Sequence, residues 1–148
     1  MPKVTIVIGM PGSGKSRYFE TVDQDKVCIF DDYHGSAIDK SPRFEKSRHY
    51  ECLKSALASG KDCLIADIDY CYEGRLNEAE RGIEKIGNDL KIKIGIDHLY
   101  FQKDPNACKE NVRRRHREQM EEELRNIDKM NGAYNIPSSA PTWPVWKG

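Results

Sequence analysis

Val4-Thr5-Ile6-Val7-Ile8 runs without a break into Gly9-Met10-Pro11-Gly12-Ser13-Gly14-Lys15-Ser16. The first five residues are largely β-branched and apolar, which predicts a short strand buried on both faces. The octet after them fits G-x-x-x-x-G-K-[ST]. Its glycines let successive backbone N–H groups turn toward one point, and a helix beginning at its end aims a positive dipole at the same point. The expectation is a cradle for a nucleotide's phosphate tail, formed by Gly9, Pro11, Gly12, Ser13, Gly14, Lys15, Ser16 and Arg17. Lys15 is expected on the β- and γ-phosphates and the Ser16 hydroxyl on Mg2+. The bland alternative is a chance glycine turn. A glycine turn placed between a buried strand and a helix is what the cradle requires.

Outward from this stretch, Val27-Cys28-Ile29-Phe30 and Cys63-Leu64-Ile65-Ala66 have the same strand character. Residues 92–101 form a fourth candidate, with Ile92, Ile94 and Ile96 alternating before Leu99-Tyr100-Phe101. Between the runs the period lengthens. Tyr50, Leu53 and Leu57 mark one helix, and Leu76, Ala79, Ile83, Ile86 and Leu90 mark another. Val112, Met120, Leu124 and Ile127 extend a long helix over about 104–131. Strands alternating with helices predict βαβ units and a parallel sheet covered on both faces. A covering tail follows over 133–148, with a weak fifth strand at Val145-Trp146.

The chain has 148 residues, which suits one domain over 1–148. Its 24 basic residues balance 24 acidic ones, against a generic nucleic-acid coat or a polybasic membrane binder. The five cysteines never form Cys-x-x-Cys and are expected as reduced, mostly buried thiols. No stretch approaches membrane-spanning length, so a cytoplasmic, soluble protein is expected. The four histidines lack metal-ligand spacing; surface or partly buried positions are expected for His49, His98 and His116.

In an open parallel sheet, ligands sit beyond the C-terminal ends of the strands. Two further apolar runs end in acids there: Phe30 before Asp31-Asp32-Tyr33-His34, and Ala66 before Asp67. Asp67 is placed to stand near Mg2+ and its waters, or else to cap a turn. Asp31 and Asp32 are candidate general bases for transfer to a hydroxyl, or else two turn carboxylates. Neighbours on an extended strand point opposite ways, so one of the two is expected to face the site.

Lys109 to Arg117 carries five basic residues against one acid, with Glu121-Glu122-Glu123 close behind. A solvated helix with i,i+4 pairs is the plain account. The sharper one is a lid whose guanidinium groups clamp the transferred phosphate, with Arg113, Arg114 and Arg115 the candidates. Aromatics of Tyr134-Asn135-Ile136-Pro137 and Trp143-Pro144-Val145-Trp146 either cover the core and sheet edge, the favoured account, or pack over an adenine.

Gly9 to Ser16, then Phe30-Asp31-Asp32-Tyr33-His34, then Leu64-Ile65-Ala66-Asp67, resemble the small P-loop kinases grouped around the kinase domain of phage polynucleotide kinase. Zeta-toxin-like and adenylate-kinase-like enzymes are more distant relatives. Asp104-Pro105-Asn106-Ala107-Cys108 leading into arginines resembles the group's lid helix, and Tyr134-Asn135-Ile136-Pro137 its Tyr-x-x-Pro turn. The resemblance implies an α/β P-loop three-layer sandwich with about five parallel strands, an arginine-bearing helical lid, and ATP with Mg2+. It puts the catalytic aspartate at Asp31 and lid arginines on the moving phosphate. The family pattern is Asp-Asp-x-Arg, whereas this chain has His34 in the last place. Positioning of the acceptor is then expected from Asp32 and His34, or from Arg43 or Arg48 in the arginine's stead.

The expected activity is therefore ATP-dependent transfer of the γ-phosphate to a hydroxyl, a polynucleotide or oligonucleotide 5′-hydroxyl ahead of a nucleoside or other small alcohol. A nucleoside-monophosphate kinase is the alternative, and it needs no base because its acceptor is already a phosphate. A nucleotide-gated switch is third. Asp32-Tyr33-His34-Gly35 matches Asp-x-x-Gly, but it follows the second apolar run and no Asn-Lys-x-Asp occurs.

Overall fold

The computed structural model describes residues 1–35, 43–115 and 117–147, so His116 lies outside the described residues. Five strands, β1 (Lys3–Ile8), β2 (Val27–Phe30), β3 (Asp62–Ala66), β4 (Gly95–Phe101) and β5 (Thr142–Trp143), make one all-parallel sheet. Their order is β2-β3-β1-β4-β5. The helices are α1 (Lys15–Phe19), α2 (Tyr50–Ala58), α3 (Glu73–Leu90), α4 (Pro105–Arg115) and α5 (Met120–Ala133).

The two-residue period of β1 explains the layering. Val4, Ile6 and Ile8 face a large core with Leu53 and Leu57 of α2, Ile83 and Ile86 of α3, Val112 of α4 and Ile127 of α5. Val7 faces the other way, with Leu64, Ala66, Leu99 and Phe101 beneath Phe19 of α1. Val4, Ile6, Val7 and Ile8 are fully buried, and each such side chain contributes about 1.5–3 kcal/mol. The expected parallel sheet with helices on both faces is present. Among the described residues, no helix is long and apolar enough to cross a membrane. Cys63, Cys71 and Cys108 are buried, Cys28 is half-buried and Cys52 exposed, all as free thiols.

Three boundaries differ from the sequence reading. Strand β4 begins at Gly95 rather than at residue 92. Lys91 adopts a left-handed backbone (φ 57°) and the Ile92 N–H still donates to Gly87 O at 3.0 Å, so Ile92 belongs to the turn ending α3. The long helix over 104–131 is two helices. Arg113, Arg114 and Arg115 fill the last turn of α4, and Glu121, Glu122 and Glu123 the first turn of α5. Cations favour a helix C-terminus and acids an N-terminus, so the charge reversal marks a break that apolar spacing conceals. Lys109–Asp128 and Arg115–Glu123 ion pairs then tie the two helices together. The fifth strand is Thr142–Trp143 rather than Val145-Trp146. Pro144 has no N–H to continue the ladder. Val145 turns into the core instead.

Helix α3 meets a 3-10 turn over Phe44–Lys46 through Gly82. Gly→Ala in a helix interior ordinarily stabilises by about 0.5–1 kcal/mol. Here the new Cβ would lie 2.2 Å from Phe44 Cδ2. Phe44 is buried and its ring stacks on Tyr33 at 4.6 Å, leaving it nowhere to move. Overpacking costs about 1–3 kcal/mol and outweighs the propensity gain. Gly82→Ala is therefore expected to lower the urea midpoint; an increase would disprove this packing account.

Candidate functional site

The loop between β1 and α1 lies at the carboxyl end of the central strand. Gly12 (φ 81°) and Gly14 (φ 107°) take positive-φ conformations that other residues resist. A Cβ would also collide at each, 2.4 Å from Cys108 O at Gly12 and 2.8 Å from Trp146 Cβ at Gly14. The glycines thus allow both the bend and the close approach of α4 and the tail. Helix α1 has only five residues. Its macrodipole is correspondingly small, and the backbone amides of its first turn matter more.

The Lys15 ammonium closes the loop on itself, donating to Gly9 O at 2.6 Å, Met10 O at 3.1 Å and Ser13 Oγ at 3.4 Å. Burial pulls its pKa below the ordinary 10.5, and Asp31 and Asp67 among its neighbours act in the opposite direction. Ser16 and Arg17 are exposed at the mouth. The cleft there encloses about 630 Å3. Its wall carries Lys15, Arg17, Arg114, Arg115 and Arg117 against Asp31, Asp32 and Glu123. Five cations against three acids, over a glycine-bent loop, favour an anion.

Both Asp31 and Asp32 line the cleft. The alternation expected of an extended strand fails because Asp32 has φ 50° and opens a turn in which its carbonyl accepts the Gly35 N–H at 2.9 Å. Asp31 Oδ1 accepts the Asp32 N–H at 2.8 Å, which orients the carboxylate. Asp67 sits behind them at 4% exposure. Its Oδ1 accepts the Asp69 N–H at 2.9 Å and its Oδ2 the His34 N–H at 2.8 Å. It therefore caps the turn Ile68–Cys71 and ties the loop after β2 to the end of β3.

Desolvation pushes the Asp67 carboxyl up to about 7, against the two backbone hydrogen bonds that lower it. In the unfolded chain the group titrates near 3.8. Between these values the native state holds a proton that the unfolded state has lost, so Asp67 costs stability as pH rises through that window. The stability of the wild type relative to Asp67→Asn is expected to improve on acidification from pH 8 to 5. The gain is on the order of 2–3 kcal/mol, read from paired urea titrations. A pH-independent difference would show that the carboxyl is solvated.

His34 does not reach the cleft as a substrate contact. It is 1% exposed, with its ring 5.2 Å from Tyr33 and 5.3 Å from Tyr70, and Nδ1 3.1 Å from Arg75 Nη2. Adjacent Tyr33 and the distant Tyr70 together enclose a side chain that the acids before it suggest is exposed. Arg43 and Arg48 are exposed and do not line the cleft, nor does Arg113. Arg114 pairs with Glu110 at 2.9 Å and Arg115 with Glu123 at 3.2 Å.

Spacing alone does not single out Arg117 or Asn111, and it gives Trp146 only the two readings of sheet-edge covering, the favoured one, and base packing; all three line the cleft. Arg117 lines the cleft beyond the end of α4. The Asn111 amide donates to Gly12 O at 2.9 Å and to Trp146 O, latching α4 and the tail to the loop. Trp146 donates its backbone N–H to Ser13 O at 3.1 Å. Tyr134, by contrast, is core, as favoured: its hydroxyl donates to Ile8 O at 3.3 Å and to Phe101 O, at the ends of β1 and β4.

The oxygen donors present (the Ser16 hydroxyl and carboxylates) suit a hard divalent cation. Among the described residues, no group of three or more His, Cys, Asp or Glu side chains gathers to hold a metal. A cation here would need phosphate oxygens and waters to complete its shell, which is how Mg2+ commonly binds beside a nucleotide. In comparisons with known proteins, no family model and no curated protein matches the chain.

Proposed function

We propose that this chain is a phosphotransferase that uses ATP and Mg2+ to phosphorylate a hydroxyl, with a polynucleotide or oligonucleotide 5′-hydroxyl the leading acceptor. The observation that carries this reading is the presence, in one cleft, of Lys15 on a glycine-bent loop, Asp31 at the rim and arginines of the α4 end opposite. A phosphate-binding loop alone would suit any nucleotide switch. A carboxylate facing the same space supplies what alcohol phosphorylation needs in addition.

In the proposed reaction the acceptor oxygen attacks the γ-phosphorus, forming one P–O bond as the bond to the β-phosphate oxygen breaks and ADP leaves. The acceptor proton passes to the Asp31 carboxylate. Lys15 leaves its contacts with the loop carbonyls for the β- and γ-phosphates. Arg114 or Arg115 gives up a glutamate partner to meet the charge on the moving group. Ser16 would hold Mg2+ with Asp67 behind it, and the ion would neutralise charge on the phosphate oxygens.

Singly, Arg114→Ala and Arg115→Ala are expected to include at least one loss of about 10²-fold in kcat, whereas Arg113→Ala leaves kcat close to normal. A loss confined to Arg113 would reject the cleft geometry. The function itself is tested by incubating the protein with labelled ATP and Mg2+ against 5′-hydroxyl oligonucleotides, nucleosides and nucleoside monophosphates. Label entering a 5′-hydroxyl end supports the reading. Label entering only monophosphates selects the nucleoside-monophosphate kinase, and hydrolysis without an acceptor product removes the kinase assignment.

A further inference from the structure

We propose that Arg17 and Trp146 together form a shelf for a nucleobase, and that the cleft accepts nucleoside triphosphates by stacking, with little discrimination between adenine and guanine. The inference rests on the phosphate-loop reading above and adds what would hold the other end of the nucleotide.

The guanidinium carbon of Arg17 lies 4.0 Å from the centroid of the Trp146 ring. Arg17 directly follows Ser16 and is the last residue of the expected phosphate cradle, so the pair begins at the cradle's edge. The shelf is also fixed in place. The Trp146 N–H donates to Ser13 O at 3.1 Å, and Asn111 bridges Trp146 O and Gly12 O. Val145 next to it is 3% exposed and anchors the tail in the core. Trp146 itself keeps 39% of its surface exposed. A large apolar ring held at a charged cleft wall by two backbone hydrogen bonds is costly to leave wet, and a flat partner would cover it.

The chemistry selects that partner. Indole and guanidinium both offer planar π-surfaces on which bases stack, and every base has such a face. Hydrogen-bond readout of a base edge needs uncommitted polar groups; most of the charged ones on the cleft wall are ion-paired, stacked on Trp146 or assigned to the phosphates and the acceptor, and the neutral ones are few. Among the described lining residues these are Ser13, Ser16 and Asn111. The Asn111 amide already donates to two carbonyls, Ser13 is buried beside Lys15, and Ser16 is assigned to the cation. Binding then follows stacking strength, with purines ahead of pyrimidines.

The chain has two tryptophans. Trp143→Phe leaves Trp146 as the one indole reporter and keeps an aromatic ring against Tyr18. This protein is titrated with Mg2+ complexes of tripolyphosphate, ATP, GTP and CTP, following both calorimetry and indole emission. Tripolyphosphate is expected to bind with emission nearly unchanged. ATP and GTP should quench Trp146, bind at least about tenfold tighter than tripolyphosphate, and agree with each other within about threefold. Trp146→Ala should reduce ATP affinity to that of tripolyphosphate, and Trp146→Phe should restore most of it. ATP binding no tighter than tripolyphosphate, ATP binding without quenching, or a hundredfold preference between ATP and GTP would each overturn the shelf. Absence of tripolyphosphate binding in the unaltered protein would defeat the phosphate-loop reading itself, and the shelf with it.

Discussion

Lys15→Ala is expected to lower ATP turnover by at least about 10²–10³-fold while leaving the protein folded. The ammonium has two separable jobs in the structure. In the loop it donates to Gly9 O, Met10 O and Ser13 Oγ. Losing those bonds costs a few kcal/mol together, on the order of 1.5–3 kcal/mol for a well-made bond from a charged donor and less where water reaches the half-buried side chain. A domain of ordinary stability, about 5–15 kcal/mol, tolerates that loss. In the proposed reaction, however, the ammonium is the cation held on the loop carbonyls themselves, while Arg17, the other cation of α1, lies over the Trp146 ring. Burial already disfavours its charged form, so an arriving phosphate restores what desolvation removed and keeps the lysine protonated. Turnover is followed with labelled ATP and folding by a circular-dichroism melt. A near-normal rate in a folded variant would remove the loop from the mechanism.

How far the sequence could be read depends on whether a feature is contiguous. Strands β1 and β3 announce themselves because burial on both faces demands nearly continuous apolar runs at Val4–Ile8 and Cys63–Ala66, and β2, a half-buried edge strand, carries a similar run at Val27–Phe30. The glycine-bent loop after β1 is legible because its eight residues are consecutive. The split of the long helix was present in the sequence, but as charge rather than periodicity: Arg113 to Arg115 and Glu121 to Glu123 suit two opposite helix ends. A two-residue strand such as β5 has no period to detect, and the proline after it is the stronger clue.

The site's remaining parts depend on which helix face meets the loop, and spacing does not reveal this. Arg113, Arg114 and Arg115 were equivalent by composition, and the turn of α4 alone separates Arg113 from the two that line the cleft. Asn111 and Trp146 join the loop from 99 and 133 residues away in the chain, so no local pattern names Asn111, and the aromatic tail announces Trp146 without saying that it meets the loop. His34 shows the converse. Beside the buried Tyr33 its sequence neighbours are small or polar, yet Phe44 and Tyr70 pack on it as well and Arg75 meets its ring nitrogen. Any acceptor-positioning role once expected of it would have to pass through Asp67, whose carboxylate its N–H holds.

Asp31→Asn is the substitution that tests the chemistry itself, with kcat expected to fall by about 10²–10⁴-fold, the range for a lost general base. ATP affinity should change little, since in the proposed reaction the acid stands beside the acceptor and the phosphates are held by the loop and Lys15. The amide is nearly isosteric and its oxygen can still accept the Asp32 N–H, so the turn persists. Asp32→Asn is the matched control. Its left-handed backbone (φ 50°) suits asparagine as well as aspartate, so any rate effect there is chemical rather than structural. Because both carboxylates line the cleft, the comparison decides between them. A large loss at Asp32 with none at Asp31 would move the base by one residue. Two silent variants alongside an inactive Lys15→Ala would mean that the acceptor carries no proton to remove, and the substrate would then be a phosphate rather than an alcohol.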